Sequence, residues 1–584
     1  MKNTIKKINV IGIFWLLITA SISCGKFETL NTDPNSISPT IANVNYLMAS
    51  VLTSAAVEYG NLGSGDMSGA MQHTAQDAWS GGYSNYQWDP KDWSGYYGRL
   101  RDDKLLLEKA VENNWKFHQG VGLIMRAFNF GCIADLWGDA PYSKALNGDL
   151  GGAENTTPVF DSQEDIYNGV IADLKAALPL LEGSASDFPE VNSASDVFYG
   201  GDPEKWRKLA NTLLLRYSLR LSSKKDVKAD VEALVGKVFE SNEDDWAMSY
   251  PGIDQGSSYQ KNSKFNSPSN YNRNKMSATL VKKLDALKDP RIVIMAEPII
   301  TRTLVDASKF PGDNATLSKI IDGVRYINPP AATAAKDKQF DISTYAIDRP
   351  FGAASNTVWN FYDTAAVYVG IPISYNGETY QYNLNATGTQ STSNNDYVSY
   401  MRRDIYDNPS GDLLKARMAS YAEVCFDFAE AAQKGWNVGG TAEDWYNKGI
   451  KASFDTWLTD YQDDVDAYAG AVKSYEDYIA QPLVAYDGSL ERIMEQKWIA
   501  SWQGSVEAFM DWRRTGFPTL NIGWASYRGE IPVRYAYFNT ELQNNPTNSD
   551  AAISRLQETD YSTVDGKNSS WSKFWLIQGT DKPW

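Results

Sequence analysis

Residues able to do chemistry are unevenly supplied along this 584-residue chain. The densest charged cluster is ERIMEQKWIASWQGSVEAFMDWRRTGFP, from Glu491 to Pro518, where Glu495, Glu507, Asp511, Arg513 and Arg514 surround Trp498, Trp502 and Trp512. Two carboxylates beside aromatic rings are the equipment of a glycoside hydrolase, one as general acid and one as base. A general acid must keep its proton, and arginines this close hold carboxylates ionised. The cluster therefore reads as an Arg–carboxylate network that fixes packed helices. Histidine is confined to His73 and His118, and no HExxH occurs. A histidine-based zinc site or a Ser-His-Asp triad is thus poorly supplied. The expectation is a binding protein and not an enzyme, with no catalytic residue, metal ligand or cofactor.

The second chemistry on offer is stacking. WSGGYSNYQWDPKDWSGYY, Trp79 to Tyr97, interleaves aromatic rings with glycine, serine and asparagine. Sugar rings lay their C–H faces on aromatic rings, while Asn and Asp side chains take the hydroxyl hydrogen bonds. Trp79, Tyr83, Tyr86 and Trp88 lie in the glycine-rich part and are candidate glycan-binding residues, with core packing as the competing assignment. Trp93, Tyr96, Tyr97 and Leu100 continue into RLRDDKLLLEKAV as one helix face and are expected in the core. Further candidates are the loop aromatics Tyr271, Trp359, Tyr362 and Tyr382. Asp89 and Asp92 are the nearest carboxylates in an aromatic segment that stand apart from arginine.

The elements that must position these residues are mostly helices. Asp161 with Glu164 offers a D-x-x-E capping box, followed by Ile166, Tyr167, Val170, Ile171, Leu174, Leu178 and Leu181 on one face. Asp202-Pro203 is an N-cap and first-turn proline, before a stripe of Trp206, Leu209, Ala210, Leu213, Leu214, Tyr217 and Leu221. Tyr421, Val424, Cys425, Phe428, Ala431 and Ala432 make another face, which Gly435 ends. Thr441 and Asp444 then cap a helix whose face is Tyr446, Ile450, Phe454 and Trp457. Two such helices joined by a short turn form an αα-hairpin of tetratricopeptide geometry, without the strict 34-residue signature. Between about 246 and 406 the sequence turns to Asn, Ser, Gly, Tyr and Pro, with only short alternating runs such as Thr379–Leu384. This reads as a loop-rich insertion in a single large domain and not as a linker. The expected fold is mainly α, with helix pairs as scaffold, long loop-rich insertions and little β. Cys132 and Cys425 fall inside apolar helical patterns and are expected as two buried free thiols.

The N-terminus has a separate logic. Lys2, Lys6 and Lys7 precede an apolar run from Ile8 to Ile18, and small residues lead to Cys24. This is the order of a secretory signal peptide, too short to span a bilayer. A cysteine directly after it is the acylation point of a bacterial lipoprotein. Residues 1–23 are therefore expected to be removed, Cys24 lipidated, and 24–40 to form an extended stalk before a domain at 41–584. The formal charge is −17, and losing the three leader lysines makes it more negative. Such a surface does not suit nucleic acid, which requires clustered cations.

Several blocks together resemble a known family. CGKFETLNTDPN, LWGDAPYSKAL, DSQEDIYNGVIADLKAAL, GDPEKWRKLANTLLLRYSLR, YAEVCFDFAEAAQKGW, WYNKGIKAS, QKWIASWQGSVEAFMDWRRTGFP and IPVRYAYFNTELQNN follow the order of the SusD/RagB outer-membrane lipoproteins, and more closely their SusD-like second branch. The resemblance implies a lipid-anchored glycan-binding protein at the outer-membrane surface, with tetratricopeptide-like helix pairs. It further implies a SusC-like TonB-dependent transporter as partner, to which the bound oligosaccharide is delivered. RagB-like members suggest peptide as the alternative ligand; a lipoprotein glycosidase is the alternative from another class. The ligand contacts of this family lie in variable loops, so the resemblance assigns no binding residue.

Overall fold

The computed structural model describes residues 42–584, apart from 77–81, 260–272, 300–301, 317, 335–339, 345–358, 364–365, 372, 374–397, 409, 411–412 and 524–525; at 303, 305, 318, 332–334, 340–344 and 359–363 it describes the backbone alone. Cys24 and the stalk lie outside the described residues, as do Trp79, Tyr271 and Tyr382.

The scaffold is helical. Its principal helices are α1 (Val44–Ser64), α2 (Ser94–Glu112), α3 (Lys116–Trp137), α4 (Gln163–Leu180), α5 (Pro203–Arg220), α6 (Ala278–Ala286), α7 (Tyr421–Gln433), α8 (Ala442–Leu458), α9 (Leu490–Ala500) and α10 (Ser505–Thr515). Each start has a local cause. The Asp202 carboxylate accepts from the Glu204 and Lys205 amides at 2.9 and 3.4 Å, with Pro203 at the first helical position. Thr441 and Asp444 form a complete capping box at the start of α8. The cap of α4 corrects the expectation. Ser162, not Asp161, accepts from the Asp165 amide at 3.1 Å. Asp161 sits in a two-residue strand, where its carboxylate takes the Tyr142 and Ser143 amides at 2.9 and 2.8 Å.

The helices pack as successive pairs, α2 on α3, α3 on α4, α4 on α5, and α7 on α8, with α9 against both members of the last pair. The buried faces are those read from the sequence: Ile166, Tyr167, Val170 and Leu174 on α4, Trp206, Leu209 and Leu213 on α5, Tyr446, Ile450 and Phe454 on α8. In the α7–α8 hairpin the two helices meet closely at Gly449. A Cβ there would stand 2.8 Å from the Phe426 ring, so only glycine allows this spacing. Cys132 and Cys425 are both buried and free.

The β structure is short and scattered. Strands β1 (Thr74–Gln76) and β3 (Asn274–Met276) pair antiparallel, as do β2 (Trp246–Met248) and β9 (Ala416–Ala419). A three-stranded sheet joins β4 (Arg302–Val305), β6 (Val324–Ile327) and β5 (Ser318–Ile321) in that order, and β8 (Trp359–Asp363) lies parallel to β7 (Phe340–Thr344). Within the loop-rich insertion from about 246 to 406 the described residues include most of these short strands and α6. Its Met276, Leu280, Ile294 and Tyr406 are buried in the same core as the helices. The predicted strand at Thr379–Leu384 lies outside the described residues.

Candidate functional site

The charged constellation of the C-terminal segment is largely buried, and the network around it draws on α1, α3, α4, α5 and α7. Lys497 on α9 places Nζ 2.6 Å from Asp427 on α7 and 2.6 Å from Asp511 on α10. Arg514 donates to Glu430 at 2.6 Å and to Asp511 at 3.0 Å. Arg216 of α5 holds Glu423 through two bonds of 2.7 and 2.8 Å, and Arg220 lies between Asp135 and Glu507. Tyr59 and Tyr167 donate their hydroxyls to Glu507 and Asp135 at 3.0 and 2.7 Å. Arg513 turns to backbone, donating to the Asp135 and Val533 carbonyls at 2.6 and 2.8 Å. Glu495 stands apart, paired with Lys283 of α6.

The electrostatics follow this pairing. Burial alone would raise Asp511, but Lys497 and Arg514 overcome it and hold the carboxyl at about 2. Glu507 and Glu430 are likewise held below their ordinary values, against burial, by Arg216 and Arg220 and by Arg514. Asp427 is the exception: burial raises it to about 7 although Lys497 opposes the shift. Its residue is 3% exposed, inside the α7–α9 contact. Beside the network, a cleft between β9, α7, α8 and the α9–α10 turn is lined by Asp245, Glu423, Trp457, Lys497 and Trp502. Burial lifts Asp245 there to about 6. The cleft volume is about 50 Å³, and a water needs about 10–15 Å³ of such space, so it has room for a few waters. This constellation can hold helices in register; it does not present an acid and a base to a glycosidic bond.

The aromatic candidates divide. Tyr83, Tyr86 and Trp88 are corrected as exposed platforms, because all three rings are buried. Tyr83 Oη lies 2.5 Å from Thr74 Oγ1 and donates to the Ser64 carbonyl, while Tyr86 accepts from Gln72 at 3.0 Å. Trp88 packs its ring 5.8 Å from Phe509 and 5.1 Å from Tyr535. Trp88 thus lies against Phe509 of α10, while Tyr83 and Tyr86 are held by residues beside α1 and β1. Trp93, Tyr96 and Leu100 are buried as expected, with Tyr97 packed against the core. Trp359 and Tyr362 occupy the first and fourth positions of β8.

The described residues bring together the roots of the segments that carry Trp79, Tyr271 and Tyr382. In the β1–β3 ribbon Gln76 stands opposite Asn274. The segment carrying Trp79 leaves β1 after Gln76, and the segment carrying Tyr271 enters β3 before Asn274. Both therefore attach at one end of the ribbon, each aromatic three residues beyond the last pair. Ile371 and Tyr400, which flank the segment carrying Tyr382, bridge to Ser277 and Lys275 beside the same strand. Tyr527 was not singled out by the sequence reading, yet its amide donates to the Asn85 carbonyl at 2.8 Å and the residue is 43% exposed. The Arg528 guanidinium covers that ring at 4.1 Å. The available signal was a Tyr-Arg pair inside the glycine-flanked stretch GWASYRGE. The sequence reading also missed the partners of the charged network, although Glu423, Asp427 and Glu430 make an acidic stripe at helical spacing along an otherwise apolar helix.

Comparison with known proteins agrees with this architecture. A SusD-like family model, described as starch-binding and associating with outer membrane, matches residues 32–346 and 313–538. No curated protein sequence matches the chain. Among solved structures, a SusD homologue of Bacteroides fragilis NCTC 9343 is similar at 21% identity, covering 92% of this chain and 99% of its own, with a TM-score of 0.63. An outer membrane protein of Bacteroides vulgatus ATCC 8482, described in terms of nutrient binding, has 24% identity, 92% and 100% coverage, and a TM-score of 0.65. A chitin-binding SusD homologue of Flavobacterium johnsoniae has 20% identity, 91% and 98% coverage, and a TM-score of 0.60. With the helix pairs, the short strands and the family match in agreement, the chain belongs to the SusD-like family of starch-binding, outer-membrane-associated proteins.

Proposed function

We propose that this protein captures an oligosaccharide at the cell surface and passes it, chemically unchanged, to a SusC-like TonB-dependent transporter. The observation that supports this reading best is the β1–β3 ribbon. Its register roots the segments of Trp79 and Tyr271 at one end, so two aromatic-bearing segments distant in sequence share one base. Trp359, Tyr362 and Tyr382 are proposed as further contacts, and exposed Tyr527 as a neighbour on the Asn85 side. The charged groups best suited to hydrolysis are buried in ion pairs, which favours capture over cleavage. Residues 1–23 act in this reading as the lipoprotein signal, Cys24 carries the lipid, and 24–40 link it to one domain at 41–584.

The test is calorimetric titration with starch and chitin oligosaccharides, the ligands that the family description and a chitin-binding relative bring forward. Trp79→Ala and Tyr271→Ala are expected to weaken binding at an unchanged melting temperature. Unchanged binding in both variants overturns the site. Capture of peptides and no glycan would favour the RagB-like alternative. Shortening of a bound oligosaccharide, stopped by one Asp or Glu substitution, would favour a glycosidase. Mass analysis of the mature N-terminus tests the anchor, with an acylated Cys24 as the expected first residue. Co-purification of a large β-barrel transporter from mildly solubilised outer membrane tests the partner.

A further inference from the structure

One buried carboxyl has no part in ligand capture or in the charged network. Asp103 on α2 has no exposed surface, and neither of its oxygens has a hydrogen-bond partner among the described residues. An ionised carboxylate left in this state is very unfavourable, whereas the protonated acid is a small neutral group. Its Oδ1 faces α3 at Gly122: a Cβ added there would stand 3.4 Å from that oxygen and 2.7 Å from Leu107 Cδ2. Arg126 lies one turn further along α3 than Gly122 and is the cation that acts on Asp103. Its guanidinium is already committed to Asp173 of α4, through bonds of 2.7 and 2.6 Å.

Charges of both signs act on Asp103. Arg126 of α3 favours its ionised form and Asp173 of α4 opposes it. On α2 itself, Arg99 is held by Asn129 of α3 at 3.0 Å and by Glu58 of α1 at 3.4 Å. Burial therefore decides, and it holds the carboxyl well above the usual carboxylate range.

We propose that Asp103 sits protonated in the α2–α3 contact at neutral pH, and that this contact is a pH-sensitive seat for α2 that loosens as the proton is lost. The sign follows from proton linkage. Above about pH 4, where an unfolded aspartate ionises, the folded chain keeps a proton that the unfolded chain has released. Stability then falls with rising pH until Asp103 itself ionises. Because α2 starts at Ser94, inside the Trp79–Tyr97 stretch, the seat also supports the chain that leads out of its glycine-rich part.

Urea unfolding of the full chain and of Asp103→Asn, from about pH 5 to about pH 9, tests the seat; the unfolding constant of the wild type relative to the variant is expected to climb by up to about tenfold per pH unit and then level. Arg126→Gln, which removes the cation, should move the levelling point to higher pH. A ratio that is flat, or that falls with pH, overturns the proposal. Hydrogen exchange on the wild type gives a second arm that requires no variant. Amide protection at Leu100–Leu107, corrected for intrinsic pH dependence, should drop as pH rises. Constant protection in α2 also overturns it.

Discussion

His73 shows how completely a single side chain can be committed by its surroundings. Its ring is fully buried, with Nδ1 2.7 Å from Ser505 Oγ and Nε2 2.9 Å from the Trp498 carbonyl. A carbonyl only accepts, so Nε2 carries the proton and Nδ1 accepts from the serine. Burial lowers the imidazole to about 3, against the Trp498 carbonyl that would raise it. Below about pH 6.5 the unfolded chain gains a proton that folded His73 refuses, so the residue removes stability as pH falls, by up to about 1.4 kcal/mol per unit. Nitrogen chemical shifts should show one Nε2–H tautomer, without titration, from neutral pH to about 5. Ser505→Ala leaves Nδ1 unpaired and is expected to cost about 1–3 kcal/mol in chemical unfolding. Trp88 carries a second prediction at this scale. Its ring is wedged between Phe509 and Tyr535, so Trp88→Ala should lower stability by about 3–5 kcal/mol. Glycan affinity of the folded fraction should be unchanged.

At the scale of elements, α7, α9 and α10 meet through Lys497. This lysine is 6% exposed and bonds a carboxylate on each neighbouring helix, which fixes their register more specifically than apolar contact could. Removing one partner of a buried ion pair leaves the others uncompensated. Lys497→Met is therefore expected to lose about 3–5 kcal/mol in chemical unfolding. Adding Asp427→Leu should recover part of that loss, since Asp511 keeps Arg514, which also holds Glu430, and apolar groups fill the rest. A double variant no better than the single one would show that Asp427 is not strained by losing its cation. Gly449 sets the other helix contact: Gly449→Ala pushes a methyl into the Phe426 ring and should cost about 1–3 kcal/mol.

The whole molecule carries a formal charge of −17 and a pI near 4.8. Among the described residues, no helix is long and apolar enough to cross a membrane. A neutral oligosaccharide stacked on aromatic rings binds without ion pairing, whereas a charged peptide meeting this acidic body would feel its field. Affinity for a glycan should therefore change less than about twofold between about 50 mM and about 500 mM salt. Titration calorimetry at the two ionic strengths measures it. A steep loss of affinity with salt would point to cationic peptide as the ligand.

Helix faces, caps such as Asp202 and Thr441, and the family itself were legible in the sequence, because helical periodicity and capping are short-range and each is written within a few residues. The structural role of the C-terminal charges was legible too, since neighbouring arginines already argued against a free acid. The burial of Tyr83, Tyr86 and Trp88 was not. Glycines around an aromatic say that a helix is disfavoured, but they do not say whether the resulting loop lies on solvent or packs inward. Asp161 likewise had the spacing of a cap and was drawn instead to the Tyr142 and Ser143 amides. The shared base of the Trp79 and Tyr271 segments arises from pairing across nearly two hundred residues, and Lys497 finds Asp427 only when two helices dock. Only tertiary structure decided these, because burial and long-range pairing depend on which surfaces meet, and no local pattern encodes the partner.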